Sequence, residues 1–517
     1  MDPRNLEHEP RPIAMGNTSI ETGGQAAQAQ GTPFDELFPQ VARRVHLLGA
    51  GGAGLSGAAQ LLHARGHAIS GHDRADSRYV RALRSLGIDV QLRESRADLL
   101  PQDVELVARS AAIPLEDPQV REAQRRGLEV LKYSELLGRI APARRTLAVA
   151  GTHGKTTSSW MLHYALRGLC EAAGRGAPLP GALVGGVCRT LGANAVAPGR
   201  GGWFAAEACE YDRSFLQLAP EGAIITNVEA DHLDYYGTLE AIEEAFARFA
   251  DRLHADGLLV VGRGVPERVT AAAPCPVWRL GQEFQVELLG EQHGYFRFRV
   301  VGPGWATPPL QLAVPGDFNV ENAACALALA VGLVGRVWRL DPSEAAACAA
   351  RTLSRYKGSE RRFEPWGTLG GVELIHDYAH HPTEVRKTLE AARRALPGKP
   401  IHVLFQPHQH SRTARFLDEF VESLRGSQRV VVADVYGARA HVDRFSAGAA
   451  ELVTRLKRAG IEAELGGDPK SSMKKLAAGL ISGEAALILG AGDIDLAKNE
   501  LLEELAVRSA PPRGARR

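Results

Sequence analysis

Short apolar runs alternate with amphipathic stretches along most of the chain. Val45-His46-Leu47-Leu48 reads as a buried strand, Ser56 to Ala64 as a helix and Ala68 to Gly71 as the next strand, so a βαβ unit opens the folded part. Val104 to Ala108 and Leu128 to Leu131 continue the rhythm, and Pro142 marks a linker ending near Arg144. A second α/β region begins with the strand Thr146 to Ala150 and runs through Ala223 to Thr226 and Gly257 to Val261. Within it the strict alternation of Tyr295 to Val300 predicts an antiparallel edge strand. A third region starts near Lys357, with strands at Val372 to His376, Ile401 to Phe405, Val430 to Ala433 and Ala486 to Leu489. The expected division is a disordered extension over 1–42, α/β domains over 43–143, 144–356 and 357–508, and a short basic tail over 509–517.

Composition narrows the class. Lys plus Arg number 61 against 60 for Asp plus Glu, a formal net charge of +1, so no global field attracts a polyanion and no nucleic-acid partner is expected. No uninterrupted apolar run reaches the ~18 residues of a membrane span, and residues 1–40 lack a signal-peptide pattern, so the expected location is cytoplasmic, without membrane insertion. The cysteines Cys170, Cys188, Cys209, Cys275, Cys325 and Cys348 are widely spaced, include no CxxC pair and suit a reducing compartment.

Two glycine loops carry the chemistry. Gly49-Ala50-Gly51-Gly52-Ala53-Gly54 fits GxGxxG between a strand and a helix, where the backbone can approach a diphosphate at the positive helix end. Asp73 follows at the spacing of a ribose-binding acid, so on these features alone a nicotinamide dinucleotide is the default ligand. Gly151-Thr152-His153-Gly154-Lys155-Thr156-Thr157 also lies between a strand and a helix. Its N–H groups can cradle phosphates, Lys155 can neutralise them and Thr156 can hold Mg²⁺. Val149 stands where the usual P-loop has its first glycine, so this is a shortened variant and ATP is the expected ligand. Glu207 at a strand end and His232 after another strand are candidate metal ligands, although Mg²⁺ prefers oxygen donors and a histidine ligand is less usual. The histidines His376, His380, His381, His408 and His410 lack a convincing transition-metal spacing.

The two loops, followed in order by EACEYDRSFL, TNVEADHLDYY, PGDFNVENA, RRFEPWG, DYAHHPTEV, FQPHQHSRT and GAGDI, resemble the Mur ligases over about residues 43 to 505. The likeness is strongest to the alanine-adding branch, with the branch that recycles murein tripeptide as the nearer alternative. The resemblance implies a Rossmann-like N-terminal domain for the UDP-sugar, a P-loop-type central ATPase domain and a Rossmann-like C-terminal domain for the amino acid. It reassigns GxGxxG from a dinucleotide to UDP, with Gly51, Gly52, Gly54 and Ser56 facing the diphosphate and Asp73 and Ser110 on the uridine side. It places residues 151–157, Asn319, Asn322, Arg362 and Asp377 around ATP, and Thr156, Glu207 and His232 around metal. Lys155, Glu207 and His232 would support catalysis, and His381, His408 and Arg412 would take the amino acid. The implied substrates are UDP-N-acetylmuramate, L-alanine and ATP with Mg²⁺. Later Mur ligases use a carbamylated lysine near the second metal, but no lysine lies between Lys155 and Lys357 here, in keeping with the alanine-adding and recycling branches. Three positions depart from the family pattern: Phe318 replaces histidine, Cys209 replaces aspartate, and Gln409 replaces arginine, which leaves Arg412 as the candidate carboxylate clamp.

A carboxylate cannot lose oxide to an amine at neutral pH, so such a ligase first makes an acyl phosphate with ATP. The intermediate must be shielded from water, which calls for domain closure. An NAD-dependent oxidoreductase would leave GTHGKTT without a role, and a nucleotide-binding regulator would bind ATP without substrate-dependent phosphate release.

Overall fold

The structure, a computed structural model, describes residues 43–141, 145–437 and 448–509. The expected extension, Pro142 with Arg144, and nearly all of the tail lie outside the described residues. Three parallel or mostly parallel sheets follow one another along the chain, beside a small antiparallel one.

The first sheet has five parallel strands in the order Asp89–Leu92, Ala68–Asp73, Arg44–Leu48, Leu106–Arg109, Glu129–Lys132. The order reverses beside Arg44–Leu48, the strand that feeds GxGxxG, and ligands of open α/β sheets bind at such a switch point. The expected helix starts earlier, at Ala53, because Gly52 in extended conformation is its N-cap. In the central seven-stranded sheet Thr146–Ala150 lies between Gly222–Ile225 and Phe204–Glu207. Glu207 and the segment leading to His232 therefore leave the sheet on either side of the phosphate loop, although they are distant from it in sequence. The six-stranded third sheet runs Glu364–Leu369, Val372–Asp377, Ala485–Gly490, Ile401–Gln406, Arg429–Ala433, Ala463–Gly467, with only the first strand antiparallel.

The Tyr295 to Val300 alternation is not an edge of the central sheet. Tyr295–Gly302 is the interior strand of the separate antiparallel sheet, flanked by Gln285–Gln292 on one side and by Trp305–Ala306 and Leu310–Gln311 on the other. Phe296, Phe298 and Val300 are buried while Arg297 and Arg299 are exposed, as a sheet with one face on a core requires. The stretch Asp317–Gly335 is long and apolar enough to cross a membrane, but 83% of its most apolar window is buried inside the protein. It packs against the helices Lys155–Ala173 and Pro342–Leu353, and that contact accounts for its uniform hydrophobicity.

One apolar core joins the first two domains. Val45, Leu55, Ala58 and Leu136 share a cluster with Ala148, Leu183, Phe204 and Phe246. Asn194 reinforces the seam by accepting from Gln60 Nε2 (2.8 Å) and donating to Ala53 O (2.6 Å). The third domain has its own cores on the two faces of its sheet.

Helices Lys155–Ala173 and Pro342–Leu353 approach closely at Gly168, where an added Cβ would lie 2.3 Å from Cys348 O. The obstacle is backbone, so Gly168→Ala is expected to destabilise by about 1–3 kcal/mol. A denaturant series should show a lower midpoint at unchanged slope; an unchanged midpoint would mean that the helices separate freely.

Candidate active site

The central loop is built on two glycines at positive φ. Gly151 has φ +134° and a Cβ there would lie 2.0 Å from Thr226 Oγ1; Gly154 has φ +83° and its Cβ would lie 2.8 Å from Asn322 Oδ1. Thr152 N donates to Asn227 O (3.0 Å) and His153 N to Asn227 Oδ1 (2.9 Å), which fixes the loop on the strand end beside it. The helix Lys155–Ala173 starts directly after Gly154, so its first N–H groups face the cleft.

Lys155 points inward. Its Nζ donates to Gly151 O (2.6 Å), Thr152 O (3.0 Å) and Glu210 (2.9 and 3.0 Å to the two oxygens). Burial opposes its charge, but Glu210, with Cys209 and Glu207 nearby, raises the pKa on balance. Thr156 Oγ1 lies 3.1 and 3.2 Å from the Glu207 oxygens, and Glu207 also accepts from Gly185 N (2.7 Å). One hydroxyl and one carboxylate on a rigid strand end form a hard oxygen donor set that fits Mg²⁺. His232, in left-handed conformation at φ +51°, places Nε2 at 3.7 Å from Glu210 and 3.8 Å from Asp231. Its pKa is lowered by burial, partly offset by those two carboxylates, and its Nδ1 is buried without a hydrogen-bond partner among the described residues. His232 thus keeps one ring nitrogen free to act as a ligand and stands next to Glu210, the acid that holds Lys155.

A cleft of about 290 Å³ opens between the central and third domains. His153, Gly154 and Thr157 line one wall with Asn319 and Asn322, and Arg362 and Asp377 line the other. Asn322 Nδ2 donates to Asn319 Oδ1 (3.3 Å), and Asn319 Nδ2 to Pro315 O (2.6 Å). Phe318, the departure from histidine, is also part of the lining. Arg362 lies over the Tyr378 ring and 3.6 Å from Glu384. Asp377 accepts from Phe363 N (2.7 Å) and Ala379 N (2.8 Å), which ties the entry of the third domain to the cleft floor.

The first-domain loop is partly self-bonded. Gly49 N and Ala50 N donate to His72 O, Gly52 N to Gly49 O, and Gly51 N to Asp73 Oδ2 (2.8 Å). Asp73, whose other oxygen accepts from Arg74 N and Ala75 N, thus braces the loop. Gly54 is needed for packing, since a Cβ there would lie 2.4 Å from the Tyr133 ring. Ser110 lies against Gly49, at the switch point. Ser56 does not face the loop's open side. It is fully buried, its hydroxyl donates to Ala53 O (3.1 Å), and Asn194 of the central domain lies 3.4 Å away, so it belongs to the domain seam.

Arg412, expected as a carboxylate clamp, is buried and already engaged: Nη2 and Nε donate to Asp231 Oδ1 at 2.6 and 3.1 Å, and Nη1 lies 3.2 Å from His408 Nδ1. Burial opposes ionisation of Asp231, yet the guanidinium holds its carboxyl far below the usual range. His408 stacks on Tyr436, and Gln409 adopts φ +70° just before the helix His410–Arg415. Among the third-domain histidines, His376 lies under Trp366 inside the domain, whereas His381 caps the helix Pro382–Ala395 at the interface.

Four acids that sequence reasoning left out of the site organise it: Glu210 holds Lys155, Asp231 holds Arg412, and Glu229 and Glu384 flank His153 at 3.6 and 3.2 Å. Glu210 and Asp231 stand within the acidic segments already singled out, but side-chain direction decides which acid meets metal and which meets a cation. Burial opposes protonation of His153, but Glu384 and Glu229 outweigh it and push the pKa up to about 9. A raised histidine pKa contributes stability that is complete below about 6.5 and disappears as pH rises through about 9. The melting temperature should therefore fall between pH 7 and 9.5, and fall less in His153→Asn; equal slopes would remove His153 from the interface electrostatics.

Three α/β domains around a phosphate loop, with a cleft completed by the last domain, define a nucleotide-dependent ligase of several domains. The chain belongs to the Mur ligase family: the family's catalytic domain matches residues 44–145, its middle domain 149–330 and its glutamate ligase domain 361–506. It is 38% identical to a UDP-N-acetylmuramate–L-alanine ligase of Rubrobacter xylanophilus, over 89% of this chain and 100% of that protein. A protein of the same name from Kineococcus radiotolerans is 40% identical over 90% and 97%. The crystal structure of the UDP-N-acetylmuramate-alanine ligase of Thermotoga maritima aligns with a TM-score of 0.72 and 24% identity, over 90% of this chain and 99% of that one.

Proposed function

We propose that this protein joins L-alanine to the carboxylate of UDP-N-acetylmuramate at the expense of ATP, in the cytoplasmic assembly of peptidoglycan precursor. The observation that carries this reading is a phosphate loop whose His153, Gly154 and Thr157 line a cleft with Arg362 and Asp377 of the third domain, while the neighbouring Lys155 and Thr156 engage Glu210 and Glu207. The names of the relatives support the choice of amino acid and sugar nucleotide.

In this reading residues 43–143 hold the sugar nucleotide, 144–356 the ATP and 357–508 the amino acid. With four loop N–H groups bonded internally, the diphosphate meets the first turn of the helix Ala53–His63, next to Gly52 and Gly54. Residues 151–157 cradle the ATP phosphates, Lys155 neutralises charge during phosphoryl transfer, and Asn319, Asn322, Arg362 and Asp377 surround the nucleotide. Thr156, Glu207 and His232 would hold Mg²⁺, which when bound offsets charge during phosphoryl transfer. The carboxylate oxygen attacks the terminal phosphorus and ADP leaves; the amine then attacks the acyl carbon and phosphate leaves. Closure of the third domain on Asp231 excludes water between the two steps. His381, His408 and Arg412 form the amino-acid side. A guanidinium already held by Asp231 presents only its remaining donor, which with Gln409 in place of arginine leaves a weaker carboxylate grip.

The test supplies purified protein with ATP, Mg²⁺ and UDP-N-acetylmuramate, offers L-alanine, glycine, L-serine and the murein tripeptide separately, and weighs the products. L-alanine is expected to lead, with glycine and L-serine slower by the ~1–3 kcal/mol that a methyl group can supply. Tripeptide as the preferred amine would move the protein to the recycling branch, and absence of any amide product would refute the reading.

A further inference from the structure

We infer that His153, Glu229 and His381 form a site for a borderline divalent cation such as Zn²⁺, separate from the Thr156–Glu207 pair, which clasps the third domain to the central one. One ligand atom from each of the three residues lies within 4.8 Å of the other two. They come from three segments: the central phosphate loop, the stretch after the strand Gly222–Ile225, and the N-cap of the helix Pro382–Ala395 in the third domain.

The buried nitrogens point to a ligand. His153 Nε2 and His381 Nε2 are both enclosed, and neither has a hydrogen-bond partner among the described residues. His381 is only 5% exposed, and its ring centroid lies 5.0 Å from that of His153. His381 Nε2 lacks the partner that a buried polar atom needs, and His153 Nε2 faces the Glu229 carboxylate, so a cation that displaces the proton held on His153 satisfies all three groups at once. Glu229 Oε2 is 3.6 Å from His153 Nε2 and accepts from Thr383 Oγ1 (2.8 Å).

The surroundings match a metal site beyond the three ligands. Glu384 lies 3.2 Å from His153 Nδ1, the carboxylate–histidine contact that turns Nε2 toward a metal and orients the ring. Two imidazoles and one carboxylate suit Zn²⁺ in preference to Mg²⁺, with a fourth position left for water. Metal–ligand bonds of about 2.0–2.2 Å require the three atoms to contract by roughly 1 Å. His381 would also give up the long Thr383 N contact at 3.4 Å on Nδ1 to move its proton there. Because His381 travels with the third domain, an occupied site resists opening and slows release of products.

The probe is Co²⁺, as a coloured substitute for Zn²⁺, added to the full chain at pH 8 in excess Mg²⁺ and followed by visible absorption and calorimetry. The expected result is one Co²⁺ per chain that Mg²⁺ does not displace, with the intense visible bands of low coordination number. His381→Ala should weaken it by at least about tenfold. Zn²⁺ should raise the melting temperature of the wild type and leave that of His381→Ala in place. Glu229→Gln, checked for folding by circular dichroism, gives the same reading should His381→Ala fold poorly. Co²⁺ binding unchanged in either variant, or lost to Mg²⁺, overturns the site, the latter by assigning the cation to Thr156 and Glu207.

Discussion

Lys155→Ala is expected to lose ligation by at least about a thousandfold while affinity for UDP-N-acetylmuramate stays within about twofold. Lys155 is the cation at the start of the helix that faces the cleft, and its Nζ is fixed by two loop carbonyls and Glu210. The GxGxxG loop lies in another domain, and the bonds of Lys155 Nζ go to Gly151, Thr152 and Glu210. Removing the ammonium also leaves Glu210 buried and unpaired, at a cost of about 3–5 kcal/mol, so instability alone could imitate the kinetic loss. The double variant Lys155→Ala with Glu210→Gln removes that charge. It should recover melting temperature without recovering turnover. Recovery of both would reduce Lys155 to a structural cation, and a parallel fall in sugar-nucleotide affinity would contradict the separation of the two phosphate sites.

Asp231→Asn should lower kcat/KM for the amine by about a hundredfold or more, because it strands Arg412 in a buried interface. Breaking one partner out of a buried ion pair costs about 3–5 kcal/mol, and this pair, 2.6 Å long, joins the central domain to the third. The loss falls on closure, so the first two domains keep their stability. Steady-state kinetics against alanine and ATP, together with small-angle scattering of the free and ligand-bound protein, measure it. An Asp231→Asn enzyme with wild-type kinetics and wild-type compaction would show that the pair is incidental.

The fold was largely legible in the sequence because its strands are short buried runs and its phosphate loops sit at strand–helix junctions. Val45 to Leu48, Thr146 to Ala150 and Ile401 to Phe405 fall within observed strands for that reason. Tyr295 to Val300 showed its alternation but not its neighbours, since pairing partners are set by the turns around it. Within the site, Lys155 and Thr156 stood out by the spacing of the glycine loop and Glu207 by its place at a strand end, and the strand order brings Thr156 and Glu207 into contact. Ser56 was not, because its hydroxyl turns inward to Asn194, more than a hundred residues away along the chain. Arg412 carried the right chemistry, but its engagement with Asp231 depends on how two domains meet, and no local pattern encodes that.

The apolar seam between the first two domains has a mechanical meaning. Gly57, where an added Cβ would lie 2.2 Å from Leu183, and the Asn194 bridge join residues 44–141 and 145–353 into one stator, whereas the third domain rests on it through charged and hydroxyl contacts such as Arg412 to Asp231 and Thr383 to Glu229. The first two domains share a continuous apolar core, whereas the clusters of the third domain lie within it, so the third domain is the part that can separate without opening a core. The molecule is therefore a two-body machine with a single swinging jaw. Movement of the third domain on these contacts would leave the proposed sugar-nucleotide seat still and open the nucleotide cleft and the amine side together, so that spent nucleotide and incoming amine would share one gate.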